Sequence, residues 1–460
     1  MLLGETLERF VDRSPFPVMV RGILENLLRP TELDELFARV AEKQYTRKLL
    51  FSTLVDLMGL VVCKIRPSMH AAILSRRQDL GVSVTAVYDK LHHLEPAILA
   101  EMVRHTAENA AAVVDALGGS MPNWAPGYTV RILDGNKLTS TEHRLEELRQ
   151  TKQGAMPGQS LVVIDPIRGL ATHVIPCEDA HAQERALLDP VIDMIRERDL
   201  WIADRNFCTA KLVFAIAARS AYFIIRHHRG SFSWQPVEER RQVGRTETGK
   251  VYEQTIQVEH DGVTLRLRRI TLVLDRPTKD GETEIHLLTN LPADTVNACT
   301  VADWYRKRWD IEGVFQDLTQ TLRCEIDTLG YPKAALFGFC TALIAFNALA
   351  VAKAALRSVH GAVEVEEKVS DYHLAGEVAA VYEGMDIAVP PDEWLPFQEM
   401  TPNALSRTLK KLAAQVRLDR FRKHKRGPKK PRPKRKSGTG STHVSTARLI
   451  AARKQAARSP

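Results

Sequence analysis

Tyr305, Arg308 and Glu312 stand at i, i+3 and i+7 in the run WYRKRWDIEGVFQDL of residues 304–318. At about 100° per residue, this spacing puts a phenol, a guanidinium and a carboxylate on one side of a helix. Trp304, Ile311, Phe315, Leu318 and Leu322 make an apolar stripe roughly 80° away by the same step. A helix of this pattern buries the stripe and presents the polar trio along one rim. A carboxylate holds a hard cation while a guanidinium takes two phosphate oxygens, so the rim suits metal-assisted chemistry on a phosphate ester. Taken alone, such a face is far more often a solvated helix side. Two aspartates upstream raise its weight. Asp134 follows the apolar run 128–133 and Asp204 follows the run 200–203. An ordinary strand-end carboxylate explains either one alone; three acids in this order are harder to explain that way.

The elements that must position these acids follow from periodicity. Residues 128–133 predict a strand running into Asp134. Residues 160–165, a turn at 166–169 and residues 170–176 have the pattern of a hairpin. Leu187, Leu188, Val191, Ile192 and Ile195 predict a helix over 180–198, with Pro190 as a point of kinking or splitting. A short strand at 200–203, a helix over 209–219 and a strand at 222–225 follow. Three antiparallel strands, then helix, strand, helix, strand, is the order of the ribonuclease-H-like fold. There the first and fourth strands are neighbours, which would set Asp134 beside Asp204.

On these residues the sequence resembles bacterial insertion-sequence transposases of the DDE class. Within them it is similar to the branch with Tyr-x2-Arg-x3-Glu-x6-Lys around the third acid. The matching residues are Asp134, Asp204, Tyr305, Arg308 and Glu312, with Thr289-Asn290-Leu291-Pro292 shortly before the predicted helix. The resemblance covers about 130–356. It departs at position 319, where Thr319 offers a hydroxyl in place of the family's lysine; Arg323, one turn on, is the candidate substitute on transposon-end phosphates. The resemblance implies two divalent cations, Mg²⁺ with Mn²⁺ able to substitute, with Asp134 bridging both, Asp204 on one and Glu312 on the other. Two such ions some 3.5–4 Å apart activate the attacking oxygen and stabilise the leaving one, and hard oxygen ligands select Mg²⁺ or Mn²⁺ over zinc. Trp309 is a candidate to stack on an unpaired base, a contact of roughly 1–3 kcal/mol; packing at a helix boundary is its plainer use.

Other groups carry less. Asp165 precedes Pro166 and reads as a turn initiator, with its strand end possible near the metals. His227 and His228, between arginines, read as a polar loop. The six cysteines show no Cys-x2-Cys spacing, against a zinc site, and no phosphate loop of the Walker type argues for a nucleotide cofactor. The chain carries a net charge of +8. Residues 422–436 alone hold ten Lys/Arg and no acid, more than the whole excess. Lys429, Lys430, Arg432, Lys434, Arg435 and Lys436 in this run are candidate DNA contacts. Like charge with Pro and Gly predicts disorder and salt-sensitive attraction to phosphates; a merely solubilising tail is the bland alternative. Residues 446–457 are a candidate short basic helix, particularly on DNA.

Residues 1–126 read as a helical DNA-binding domain, with candidate helices at 5–11, 18–28, 32–42, 47–62, 69–80 and 96–117. Residues 69–91 have helix–turn–helix proportions, Ser83 capping a second helix whose Thr85, Tyr88, Asp89 and Lys90 would meet DNA. Helical hairpins with Gly turns share these proportions without binding DNA. Residues 127–228 and 288–358 are the expected halves of an α/β catalytic core with a five-stranded mixed sheet. A β-rich insertion is expected at 229–287, a helical region at 359–420 and a disordered basic tail at 421–460. The uncharged stretch 334–352 nears the length of a spanning helix, but a buried helix beside the sheet is the expectation, and no membrane association is predicted. The N-terminus does not read as a signal peptide; the expected location is the cytoplasm, on the nucleoid. The activity implied is cut-and-paste transposition by a homodimer acting on double-stranded DNA, at terminal inverted repeats and target. Its alternatives are a catalytically weakened transposase-derived DNA-binding protein and a structure-selective nuclease of the same fold.

Overall fold

In the computed structural model the described residues are 4–44, 48–139, 141–228, 230, 232–278, 281–309, 313, 315, 318, 321–423 and 443–458. Glu312, Thr319 and the basic run 429–436 lie outside them. Among the described residues the centre is a mixed ten-stranded sheet. Its strands are β1 (Thr129–Lys137), β3 (Gln159–Asp165), β4 (Leu170–Cys177), β5 (Asp199–Ala203), β6 (Tyr222–Arg226), β7 (Trp234–Pro236), β8 (Arg241–Thr246), β9 (Gly249–His260), β10 (Val263–Leu274) and β11 (Glu284–Thr289). The spatial order is β4-β3-β1-β5-β6-β11-β10-β9-β7, with β8 on β9. β1, β3 and β4 run antiparallel, whereas β5 and β6 are parallel to β1.

The sheet is wider than the five strands expected. β11 returns antiparallel to β6, with Leu288 opposite Ile225. Asn290 secures the joint: its side chain accepts from Phe223 N–H at 3.0 Å and donates to the Ala221 carbonyl at 2.8 Å. The strand-rich segment after β6 therefore extends the same sheet. Its β9–β10 hairpin turns at Asp261-Gly262, both at positive φ (49° and 75°), as a two-residue turn between twisted strands requires.

Side-chain alternation along β1 decides which layer each face meets. Val130 and Ile132 join one apolar cluster with Leu99 and Val103 of the helix Pro96–Leu117, and with Leu343 and Val351 of the core helix Pro332–His360. Leu133 faces the other way, to Leu188 and Val191 of the short helix Leu188–Asp193 and to Leu212 and Ile216 of the helix Ala210–Ala218. The sheet is thus covered on both faces, which explains why β3 is buried along its whole length.

Several expectations on the elements are corrected. Residues 180–198 do not form one helix: a 3-10 turn at Glu184–Leu187 precedes the helix Leu188–Asp193. Pro190 lies in the first turn of that helix, the position where its missing N–H does no harm. The tail is not uniformly free of structure. Val444–Ser445 pairs parallel with β2 (Ala155–Met156), and Thr446–Ala456 forms a helix. Ser445 and Arg448 meet the Asp179 carboxylate, and Arg453 meets Glu146 and Glu147. The apolar helix Pro332–His360 is long enough by composition to cross a membrane, but 83% of its most apolar window is buried inside the protein. Its Asn347 is fully buried, accepting from Ala171 N–H at 2.8 Å and donating to the Ala171 carbonyl at 2.9 Å on edge strand β4.

Candidate active site

Parallel pairing of β1 with β5 sets Leu133 opposite Ala203. Pairing of β5 with β6 sets Ala203 opposite Ile225. The next residue on each strand is Asp134, Asp204 and Arg226, so three neighbouring strands deliver two carboxylates and a guanidinium at one level. This is the carboxyl end of the parallel strands, where open α/β sheets bind ligands. β1 continues to Lys137, so Asp134 lies inside the strand rather than at its end. Asp204 caps the 3-10 turn Arg205–Phe207, one carboxylate oxygen accepting from Asn206 N–H at 2.7 Å.

Opposite faces of the sheet contribute the remaining groups. Ile132 and Asp134 share the face covered by the helix Ala298–Arg306, and Tyr305 is buried there. Arg308, in the turn after this helix, donates from Nη1 to Asp134 Oδ2 at 2.9 Å. The Tyr305 phenol lies among Arg308, Arg226 and Asp204, and burial pushes it up to about 12. From the other face comes Glu184, whose Oε2 accepts from the Asn206 side-chain amide at 3.2 Å. A Cβ at Gly135 would collide with the Glu184 carboxylate, so the absence of a side chain at Gly135 is what admits that acid.

Asp134 feels all of this. Burial is the largest influence and pushes its carboxyl up to about 6. Arg308 and the Gly135 N–H pull it back, while the Asp204 and Glu184 charges push it further up. A half-buried carboxylate with acidic neighbours and one guanidinium is short of positive charge, and its donors are all hard oxygens. That donor chemistry fits a divalent cation of the Mg²⁺ or Mn²⁺ type. Among the described residues no group of three or more His, Cys, Asp or Glu is arranged to hold a metal ion, and Glu312 lies outside them.

The remaining sequence candidates are placed as follows. Trp309 is 61% exposed, with the Arg308 guanidinium 5.7 Å from its ring centroid. Arg323 donates to the Pro67 carbonyl in the N-terminal layer. Asp165 is the expected turn initiator, its Oδ1 accepting from Ile167 N–H and Arg168 N–H at 3.0 Å each. Antiparallel register takes it to the opposite end of the sheet, beside Arg131 and Asp199, so its strand end is not near Asp134. His227 is buried against the Phe232 and Trp234 rings. In the N-terminal layer Ser83 caps its helix, accepting from Ala86 N–H at 3.2 Å. Lys90 of that helix is engaged internally, on the Leu49 carbonyl and over the Phe37 ring.

Glu184 and Arg226 escaped the sequence reading. Glu184 looked like one face of a long helix; Pro190, by fixing where that helix begins, was the available signal. Arg226 closes an apolar run as Asp134 and Asp204 do, but nothing local says that its strand neighbours theirs. No curated protein matches the chain. Residues 125–348, just under half of the chain and including Asp134, Glu184, Asp204, Arg226 and Arg308, match the family model described as Transposase DDE domain, which supports a DDE-class transposase.

Proposed function

We propose that the protein is a DNA transposase that cleaves at transposon ends and joins them to target DNA, working on double-stranded DNA as a homodimer. The observation that carries this reading is the register: Asp134 and Asp204 leave adjacent parallel strands side by side within the segment that matches the transposase domain. The strand order β4-β3-β1-β5-β6, with β5 and β6 parallel to β1, supports a ribonuclease-H-like core.

In this reading Asp134, Asp204 and Glu312 hold two divalent cations, which when bound activate the attacking oxygen and stabilise the leaving one. The residues of the chain do the rest. Arg308, held on Asp134 Oδ2 at 2.9 Å, is the guanidinium placed to take a phosphate oxygen of the DNA. Tyr305, kept protonated by burial, stays available as a hydrogen-bond donor beside Asp204. Trp309 offers an exposed ring next to Arg308, suited to a base lifted from the duplex. The basic run containing Lys429, Lys430, Arg432, Lys434, Arg435 and Lys436 adds sequence-independent attraction to DNA.

The test is a strand-transfer assay with Mg²⁺ on a paired-end substrate built from the DNA flanking the gene, with supercoiled plasmid lacking those ends as control. Asp134→Asn, Asp204→Asn and Glu312→Gln should each lower cleavage by about a thousandfold or more. Cleavage that survives all three sinks the reading. Cleavage without joining indicates a nuclease, and end binding without cleavage a transposase-derived DNA-binding protein.

A further inference from the structure

Two arginines border the carboxylate pair, and one glutamate holds both. Arg226 ends β6 at the level of Asp204, and Arg205 follows Asp204 directly. Glu282, in the turn before β11, sets Oε2 2.5 Å from Arg226 Nη2 and Oε1 3.5 Å from Arg205 Nη1. The turn fixes it there: Glu282 N–H donates to Thr278 Oγ1 at 3.1 Å, and Thr278 N–H donates to the Glu282 carbonyl at 2.9 Å. The side chains of Arg226, Arg205 and Glu282 are 22%, 51% and 32% exposed. An incoming anion can therefore reach the contact without opening the core.

Two guanidiniums converging on two oxygens of one anion is the arrangement that recognises phosphate. A carboxylate in that place imitates the phosphate in charge and in oxygen geometry. We propose that Arg205 and Arg226 form a phosphate-binding site for the DNA strand entering beside Asp204, and that Glu282 occupies this site until DNA displaces it. The inference rests on the transposase reading and deepens it. Binding DNA then requires breaking the Glu282 contacts, so Glu282 weakens attachment to any polyanion that brings no further contacts.

The test measures binding of the full chain to a labelled duplex of random sequence by fluorescence anisotropy, with chelator present to prevent cleavage. Glu282→Gln keeps the shape of the side chain and removes its charge; it should bind about two- to fivefold tighter than the unaltered protein. Glu284→Gln removes an equal charge two residues away, where Glu284 meets Arg240 at 3.1 Å, and should bring no such gain. The gain from Glu282→Gln should vanish when combined with Arg226→Gln, because the two residues act as one pair. No gain, an equal gain from Glu284→Gln, or a gain that persists beside Arg226→Gln overturns the proposal and leaves the transposase reading standing. Failure of every form to bind DNA overturns both.

Discussion

Asp134 gathers the electrostatics of the site into one titration. Its carboxyl sits near 6, well above the ordinary carboxylate range, so the folded state holds this proton more tightly than the unfolded chain. By linkage the cation-free protein loses stability as pH rises from about 4 to 6 and then levels off, by at most about 3 kcal/mol. Asp134→Asn should flatten that window in thermal melts taken between pH 4 and 7; a melt series with the same slope in both proteins contradicts the assignment. Glu184→Gln removes one like charge facing Asp134 and should move the window to lower pH, read in the same melts. Cation binding needs the ionised carboxylate, so Mg²⁺ affinity should weaken as pH falls through 6. Asp134 and Asp204 were legible in sequence because each closes an apolar run. Glu184 was not, because its role depends on where a neighbouring helix starts and on the absence of a side chain at Gly135.

Long elements with one buried face were legible in the sequence, whereas the broken segment 180–198 was not. The helix Pro96–Leu117 falls on the expected 96–117, and the long strands β9 and β10 fall within the β-rich stretch expected at 229–287. The core helix was found as an uncharged stretch, but its partners are non-local. Asn347, an oddity in such a run, completes the backbone hydrogen bonding of Ala171 on edge strand β4. Asn347→Ala leaves that buried N–H and carbonyl without a partner and should cost about 2–4 kcal/mol in urea unfolding; an unchanged midpoint would show that the bonds contribute nothing net. The strand Val444–Ser445 was unreadable, since two residues in a basic tail carry no periodicity. Deleting residues after 442 removes its pairing with β2 and the Asp179 and Glu146 ion pairs. Amide exchange should rise locally around residues 141–158, while global melting changes little, because exposed ion pairs contribute little.

At the scale of the whole molecule, one apolar cluster runs from Leu7 and Phe16 through the core helix to Phe397 and Phe421. The N-terminal helices, one face of the sheet and the helices after the core helix therefore share a core. Removing residues before Gly127 strips the helix Pro96–Leu117 from Val130 and Ile132 as well as taking away any DNA-reading surface. The truncated chain should lose cooperative unfolding, and loss of end-specific binding in it reports both effects together. The sequence suggested separable segments because loops and composition shifts mark where the chain changes direction; shared burial leaves no such local mark. The chain without residues 422–436 is close to neutral, so nonspecific DNA affinity should depend on that run and fall steeply with salt.

The proposed function requires Asp134 and Asp204, with Glu312, to share divalent cations. Its most direct measurement is Mn²⁺ titration of the protein on DNA at neutral pH, followed by electron paramagnetic resonance. About two bound ions per protomer with spin coupling between them are expected, with loss of that coupled signal in Asp134→Asn and in Asp204→Asn. An unchanged coupled signal in either variant would contradict it.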